Sequence, residues 1–333
     1  MKNIAFTICS NNYLSQAKIL SDSVYEHSRA DYDFIIVLCD EFNDKIDYNE
    51  FHAEFIEGKY LGISNFEWMT RYYNIIELNT AVKPFAFQKL ITQYHPKFIH
   101  YLDPDTCTYA SLKEIEKELE PNYSILLTPH ELAPLPFDGK RPADNTFLNA
   151  GIYNLGFLGL KVTVESMKML SWWSEFLSEH CLIDLSKGFF VDQLPMELVP
   201  LFFEGVKICR HKGINVAYWN LHERTIIYNE SKGKYTMNDG TPLIMYHFSN
   251  FKINQPSVIA SYDTRHNLNS MPDINRLFTA YAAAYTNTKI SLYKSIKCVY
   301  MHRYNKPWRV FVRRASNKLA LITRQWADKL ARI

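Results

Sequence analysis

Short runs of β-branched and aromatic residues alternate along this chain with longer amphipathic runs, and that alternation restricts the fold more than any other feature. Residues 3–9 and 33–38 read as continuous apolar strands, and between them Leu14, Ala17, Ile19, Leu20, Val24 and Tyr25 recur at helical spacing. Strands that are apolar along their whole length are buried on both faces, which needs helices above and below a largely parallel sheet. The pattern continues with strands expected near 54–61, 97–102, 124–127, 206–209 and 243–248. Helices are expected over 66–73, 80–94, 112–119, 164–177 and 194–201, with Pro84 in the first turn of the second. The fold class is therefore α/β, a mixed and mostly parallel sheet flanked by helices. Residues 129–145, with four prolines, read as a long surface loop, and residues 234–243, containing Asn238-Asp239-Gly240, read as a hairpin.

A chain of 333 residues with 47% hydrophobic content can bury a large core. Its 37 basic and 35 acidic residues nearly cancel, so average charge gives no argument for a nucleic-acid partner, and none is expected. The six cysteines are scattered without a Cys-x-x-Cys pair. The opening residues MKNIAFTICSNN carry too short an apolar stretch for a secretory segment, and no run is long enough to span a bilayer. The expected location is a reducing cytoplasm. The C-terminal part differs in character: from Lys289 to Ile333 there are twelve Lys or Arg against Asp328 alone. We divide the chain into residues 1–271, a catalytic domain, and 272–333, a basic, aromatic helical extension. Within the extension, residues 310–330 mix Phe311, Leu319, Leu321, Ile322, Trp326 and Leu330 with arginines and lysines. That pattern suits an anionic membrane surface, or a helix docked on the rest of the chain with a solvated basic face.

The strand at 97–102 runs directly into Asp103-Pro104-Asp105. Asp-x-Asp occurs twice, about as often as chance allows in a chain with this many aspartates. The other copy, Asp31-Tyr32-Asp33, precedes its strand and reads as a solvated turn. Asp103 and Asp105 follow theirs, and ligands of open α/β sheets bind at the carboxyl ends of strands. Two carboxylates there suit a hard divalent cation that also takes phosphate oxygens. The alternative is structural, with Asp105 capping a helix that begins near Ser111. Among metal-phosphate chemistries, a haloacid-dehalogenase-type phosphatase would want a later Gly-Asp or Asp-Asp pair, and the chain has neither. A nucleotidyltransferase would want a glycine-rich first loop, where this chain has Cys9-Ser10-Asn11-Asn12-Tyr13; the P-loop pattern is also missing.

Six segments in order, IAFTICSNNYLSQA, AVKPFAFQKL, HYLDPDT, FLNAGIYNLGFLGL, FFVDQLPMELVP and GINVAYWNLHER with MYHFSNF, resemble those of family 8 glycosyltransferases and their bacterial relatives over most of residues 1–270. The resemblance implies a GT-A, Rossmann-like fold and transfer of a sugar from a nucleotide-sugar, a UDP-sugar being favoured, with retention at the anomeric carbon. It implies Mn²⁺ or Mg²⁺ held by Asp103, Asp105 and His247, and a glycan or lipid-linked glycan acceptor. An acceptor on a lipid carrier would place the protein peripherally on the inner face of the cytoplasmic membrane. Donor-binding positions would be Thr7, Cys9, Asn11, Tyr13, Lys83, Asp103, Asn149, Asn154 and Lys252, and the catalytic pair Asp192 and Gln193. Where the family has glycine after His-Phe-Ser, this chain has Asn250. On residue chemistry alone, His247 reads first as a locally hydrogen-bonded strand end, and Asp192 with Gln193 reads also as a cap for the helix at 194–201. Trp172, Trp173, Tyr218 and Trp219 read as core aromatics, the last two also as a floor for a sugar ring. Two further activities stay open: a metal-dependent phosphohydrolase, and a non-catalytic sugar-nucleotide or glycan binder.

Overall fold

Seven strands form the central sheet of a computed structural model that describes residues 2–304 together with 319, 322, 323, 326 and 330. The strands are β1 (Asn3–Cys9), β2 (Tyr32–Leu38), β3 (Glu54–Glu57), β4 (Phe98–Leu102), β6 (Ile125–Pro129), β7 (Tyr153–Lys161) and β10 (Val206–Ile208). Their order is β10-β6-β7-β4-β1-β2-β3. All neighbours are parallel except β7, which runs antiparallel between β4 and β6. Three small pairs lie outside it: β5 (Thr106–Thr108) with β13 (Met245–His247), β8 (Ile183–Asp184) with β9 (Phe189–Phe190), and β11 (Ile226–Asn229) with β12 (Lys234–Met237).

The two-faced burial expected of the strands is visible in β1. Ile4, Phe6 and Ile8 enter one apolar cluster with α2 (Phe66–Tyr72), α3 (Ile75–Ala81), α4 (Lys83–Tyr94) and α7 (Val164–His180). Ala5 and Cys9 enter another with α1 (Leu14–Ser28) and α5 (Lys113–Leu119). The expected helix at 80–94 is two helices. Asn74 accepts hydrogen bonds from the Ile76 and Glu77 N–H groups while Glu77 accepts from the Asn74 N–H, and this reciprocal cap starts α3 at Ile75, five residues ahead of the expected start at Thr80. Pro84 stands in the first turn of α4, and His95 ends that helix in the left-handed region at φ 47°. The loop after β6 gives way to α6 (Asp144–Ala150). Where one helix was expected at 194–201, a 3₁₀ turn at 194–198 leads into the short α8 (Val199–Phe202).

Residues 272–304 pack closely against the rest. Ile274, Leu277, Phe278, Tyr281 and Tyr285 of α9 (Pro272–Thr286) join Phe248 and the β11–β12 pair in a third cluster. Tyr293 of α10 (Ile290–Ser295) and Tyr300 of α11 (Val299–Tyr304) are buried in the two clusters of the sheet. No helix among the described residues is long and apolar enough to cross a membrane. The membrane-surface expectation for 310–330 falls, apart from five residues, outside those described; Leu319, Ile322, Trp326 and Leu330 are exposed.

Candidate functional site

β4 is fully buried, His100 included, and its first carboxylates stand where the strand ends. There the chain turns: the N–H and Oγ1–H of Thr106 both donate to the Asp103 carbonyl, at 3.0 and 2.7 Å. The turn delivers β5, which pairs antiparallel with β13 so that His247 stands opposite Thr106. His247 Nε2 therefore lies 3.1 Å from Asp105 Oδ1 and 3.7 Å from Asp103 Oδ2. Tyr101 donates its hydroxyl to Asp103 Oδ1 at 2.5 Å, which leaves Oδ2 as the oxygen turned to the imidazole. Asp103, Asp105 and His247 form the group of three metal-capable side chains among the described residues, with ligand atoms within 4.8 Å of one another. Neither aspartate caps α5, where the N–H of Lys113 donates instead to Ser111 Oγ at 3.2 Å.

The electrostatics of this cluster are unbalanced. Burial works to lower the His247 pKa, but the carboxylates of Asp105 and Asp103 outweigh it and raise the pKa. Even a protonated imidazole leaves two carboxylates against one positive charge. Two hard oxygens and one nitrogen are a donor set for Mn²⁺ or Mg²⁺, with positions left for phosphate oxygens. Space for the imidazole depends on Gly156, since a Cβ there would stand 2.4 Å from His247 Cε1 and 2.7 Å from Asn154 Oδ1. The Gly156 carbonyl also accepts from the Asp103 N–H at 2.8 Å, so this glycine borders two members of the cluster, one from each of two elements.

Beside the cluster lies a buried ion pair. Lys83, at the start of α4, is 1% exposed and meets the carboxylate of Asp192, which is 3% exposed. The Lys83 ammonium also donates to the Leu155 carbonyl at 2.9 Å and sits 4.0 Å from the centre of the Tyr101 ring. Burial raises the Asp192 pKa, with Lys83 opposing. The residue before it, Val191, has φ 42°, a left-handed conformation that a β-branched residue adopts only under constraint from its surroundings. Gln193 donates Nε2–H to the Ala150 carbonyl at 2.7 Å and makes no side-chain cap for the 3₁₀ turn it precedes. The cap expected of Asp192 and Gln193 is thus not formed by Gln193.

The other named residues are divided between the end of β1, β7, α6 and the loop after β13. Thr7 is buried in β1 with its hydroxyl unpartnered among the described residues, and Cys9 is buried at the strand's end, its thiol pKa pushed up by burial and then by Asp40. Asn11 is buried and its carboxamide is fully engaged: Nδ2 donates to Asp40 Oδ2 and the Glu41 carbonyl, and Oδ1 accepts from the Tyr48 hydroxyl. Tyr13 is half-exposed, and burial followed by the charges of Asp105 and Asp103 raises its phenol pKa. Asn154 is buried beside the cluster, whereas Asn149, on α6, and Lys252 are exposed. Asn250 adopts φ 62°, the backbone conformation glycine supplies elsewhere and one that asparagine tolerates. Trp173 and Trp219 are core residues, and the Trp219 ring meets the His247 ring edge-on at 5.3 Å.

With this geometry in place, the chain can be set beside known proteins. No protein-family model matches it. It is similar to YfnF of Bacillus subtilis strain 168, an uncharacterized protein, with 30% identity over 175 residues that take in 52% of this chain and 56% of that one. It is also similar to the uncharacterized YfnD of the same organism, with 27% identity over 176 residues, 52% of this chain and 53% of that one. The chain spans about half the length of the curated relatives it matches. Among solved structures it is similar to the galactosyltransferase LgtC in complex with donor and acceptor sugar analogues, at 13% identity and TM-score 0.46 over 88% of this chain and 100% of that one. It is similar as well to the apo form of the bifunctional glycosyltransferase WbbM, at 13% identity and TM-score 0.48 over 88% of this chain and 51% of that one.

Sequence reasoning did not find several residues that shape the site. Tyr101 reads as one more apolar position of β4, yet its hydroxyl holds Asp103. Asp40 follows β2 and accepts from Asn11 and from the Val299 N–H, joining the end of β1 to the start of α11. Asn215, inside the segment GINVAYWNLHER, carries no separate signal there, and His130 lies in a segment without a distinguishing pattern; both line the far side of His247. The one sequence signal available was position: His130, like Asp103, directly follows a buried strand, and Asp40 follows β2 after one intervening residue.

Proposed function

We propose that this protein transfers a glycosyl group from a nucleoside diphosphate sugar, a UDP-sugar being favoured, to a glycan or lipid-linked glycan acceptor, with retention. The observation that carries this reading is the Asp103, Asp105 and His247 cluster at the carboxyl end of the sheet, which has an excess of negative charge that a divalent cation would neutralise. Asp103, Asp105 and His247 would hold Mn²⁺ or Mg²⁺, and the ion would supply charge neutralisation for a leaving diphosphate without a proton donor. Tyr101 orients one of the ligands. Tyr13, half-exposed and close to the two aspartates, offers an aromatic face to a nucleoside. The backbone at Asn250 and the exposed Lys252 follow His247 and supply a turn and a positive charge for phosphates.

Asp192 and Gln193 are proposed as the groups nearest the reacting carbon. The Gln193 amide nitrogen is held by the Ala150 carbonyl, which fixes the direction of its Oε1, an acceptor suited to positive charge developing at an anomeric centre. Lys83 keeps the buried Asp192 carboxylate in place until substrate enters. The acceptor side is assigned to the loop between β6 and α6. A peripheral site on a cytoplasmic membrane face is part of the same reading, through the basic segment after residue 304. A truncation that tests this belongs after Tyr304, because Tyr293, Cys298 and Tyr300 are core residues.

The test is nucleotide release. The protein is incubated with UDP-, GDP-, CDP- and ADP-sugars, with and without Mn²⁺, in the presence of water alone as acceptor. Slow, metal-dependent release of one nucleoside diphosphate is expected, and Asp103→Asn removes it. Release of inorganic phosphate from simple phosphomonoesters, with no nucleotide released from any donor, would instead favour a phosphohydrolase.

A further inference from the structure

Behind His247 lies a line of buried amides whose orientation can be deduced from backbone groups that have a fixed role. The Gly156 N–H is a donor and points at Asn154 Oδ1, 3.0 Å away, so that atom is the carboxamide oxygen. The same oxygen accepts from Asn215 Nδ2 at 3.0 Å, and Asn215 Nδ2 also donates to Thr128 Oγ1 at 2.9 Å. Asn215 Oδ1 is thereby turned toward His247 Nδ1, at 3.3 Å. At the other end, Asn154 Nδ2 faces His130 Nε2 at 3.2 Å, while His130 Nδ1 faces the Ile152 carbonyl at 3.2 Å. A carbonyl accepts only, so His130 carries its proton on Nδ1 and its Nε2 accepts from Asn154. Every donor in the line meets an acceptor, and only one assignment achieves this.

We propose that Asn215, held by Asn154, Thr128 and, one step back, His130, is a positioning residue that fixes the proton of His247 on Nδ1, so that Nε2 presents its lone pair to a divalent cation between Asp103 and Asp105. This rests on the reading of the cluster as a metal site. The physical reason is that an oxygen acceptor at Nδ1 is satisfied by N–H and repelled by a second lone pair. Asn215 is 1% exposed, so no water competes for that contact. A buried ligand whose ring is held in this way does not reorganise when a cation arrives.

The test uses the full chain carrying isotope-labelled histidine and loaded with Cd²⁺, a diamagnetic ion whose scalar coupling to nitrogen identifies the bound ring atom by NMR. In the wild type, Cd²⁺ couples to His247 Nε2. Asn215→Asp keeps an oxygen acceptor at Nδ1 and retains that coupling. Asn215→Leu weakens Cd²⁺ binding about ten- to hundredfold, and the ring nitrogens lose their single assignment. Coupling to Nδ1 in the wild type would overturn the proposal, as would undiminished affinity and unchanged Nε2 coupling in Asn215→Leu; either would leave the metal site itself standing. Absence of any Cd²⁺ binding to the wild type would instead remove the metal reading and this proposal with it. If Asn215→Leu does not fold, His130→Phe, which keeps an aromatic ring against Phe147 but removes the acceptor for Asn154, gives a smaller loss of Cd²⁺ affinity; no loss there would contradict the proposed line.

Discussion

Two adjoining groups of buried charge handle the same difficulty in opposite ways. Lys83 and Asp192 match one cation to one anion, and the Leu155 carbonyl and the Tyr101 ring take up what remains of the ammonium's demand. Asp103, Asp105 and His247 set two carboxylates against one imidazole and stop there. The first arrangement is complete within the chain; the second is short of a cation. Tyr101 touches both, its ring under Lys83 and its hydroxyl on Asp103, so a complete pair serves as the wall of an incomplete one. On the proposed function, the first pair holds Asp192 in place within the chain and the second cluster is left for a cation to complete.

The largest effect expected is on the complete pair. Lys83→Met leaves the Asp192 carboxylate buried without its cation, at a cost of about 3–5 kcal/mol, whereas Lys83→Met combined with Asp192→Leu recovers most of that loss. Urea unfolding of the wild type and both variants checks it; equal stability of the single and double variants would break the comparison. His100 sharpens it by a third solution, having neither counter-ion nor cation nearby. It is buried in β4 with Nε2 against the Tyr32 hydroxyl, and burial, partly opposed by the Ile99 backbone, lowers its pKa to about 3. Between pH 6.5 and that value the unfolded chain takes up a proton that the folded chain refuses, so stability falls on acidification. About 2 kcal/mol is lost between pH 6.5 and pH 4.5 from this residue. His100→Phe flattens that part of the pH profile, measured by guanidinium unfolding at the two values. The smallest effect concerns the backbone that follows His247: Asn250→Ala puts a side chain with no local hydrogen bond at φ 62° and costs about 1 kcal/mol, to be read from the thermal midpoint.

The parts legible in the sequence are those governed by local rules. Strand periodicity located β1, β2 and β4, and the position of Asp103 and Asp105 after a buried strand separated them from Asp31 and Asp33. The start of α3 was equally local but was missed, because Asn74 and Glu77 were not read as a reciprocal cap. What lay beyond local rules depends on distant contacts. β5 is only three residues long and exists because β13, some 140 residues later, pairs with it. Asn11 carries the side chain expected of a nucleotide contact, yet Asp40, Glu41 and Tyr48 engage every polar atom of it. Asn215 and His130 acquire a role only when β6, β7 and β13 come together, which periodicity cannot express.

The central claim, that Asp103, Asp105 and His247 lack one cation, is tested most directly by calorimetric titration of the metal-free protein with Mn²⁺, followed by thermal unfolding. The account predicts one site per chain, stabilisation of about 2.7 kcal/mol when free Mn²⁺ is a hundred times its dissociation constant, and loss of both in Asp105→Asn. Equal Mn²⁺ binding by the wild type and Asp105→Asn, or no binding by either, would contradict it.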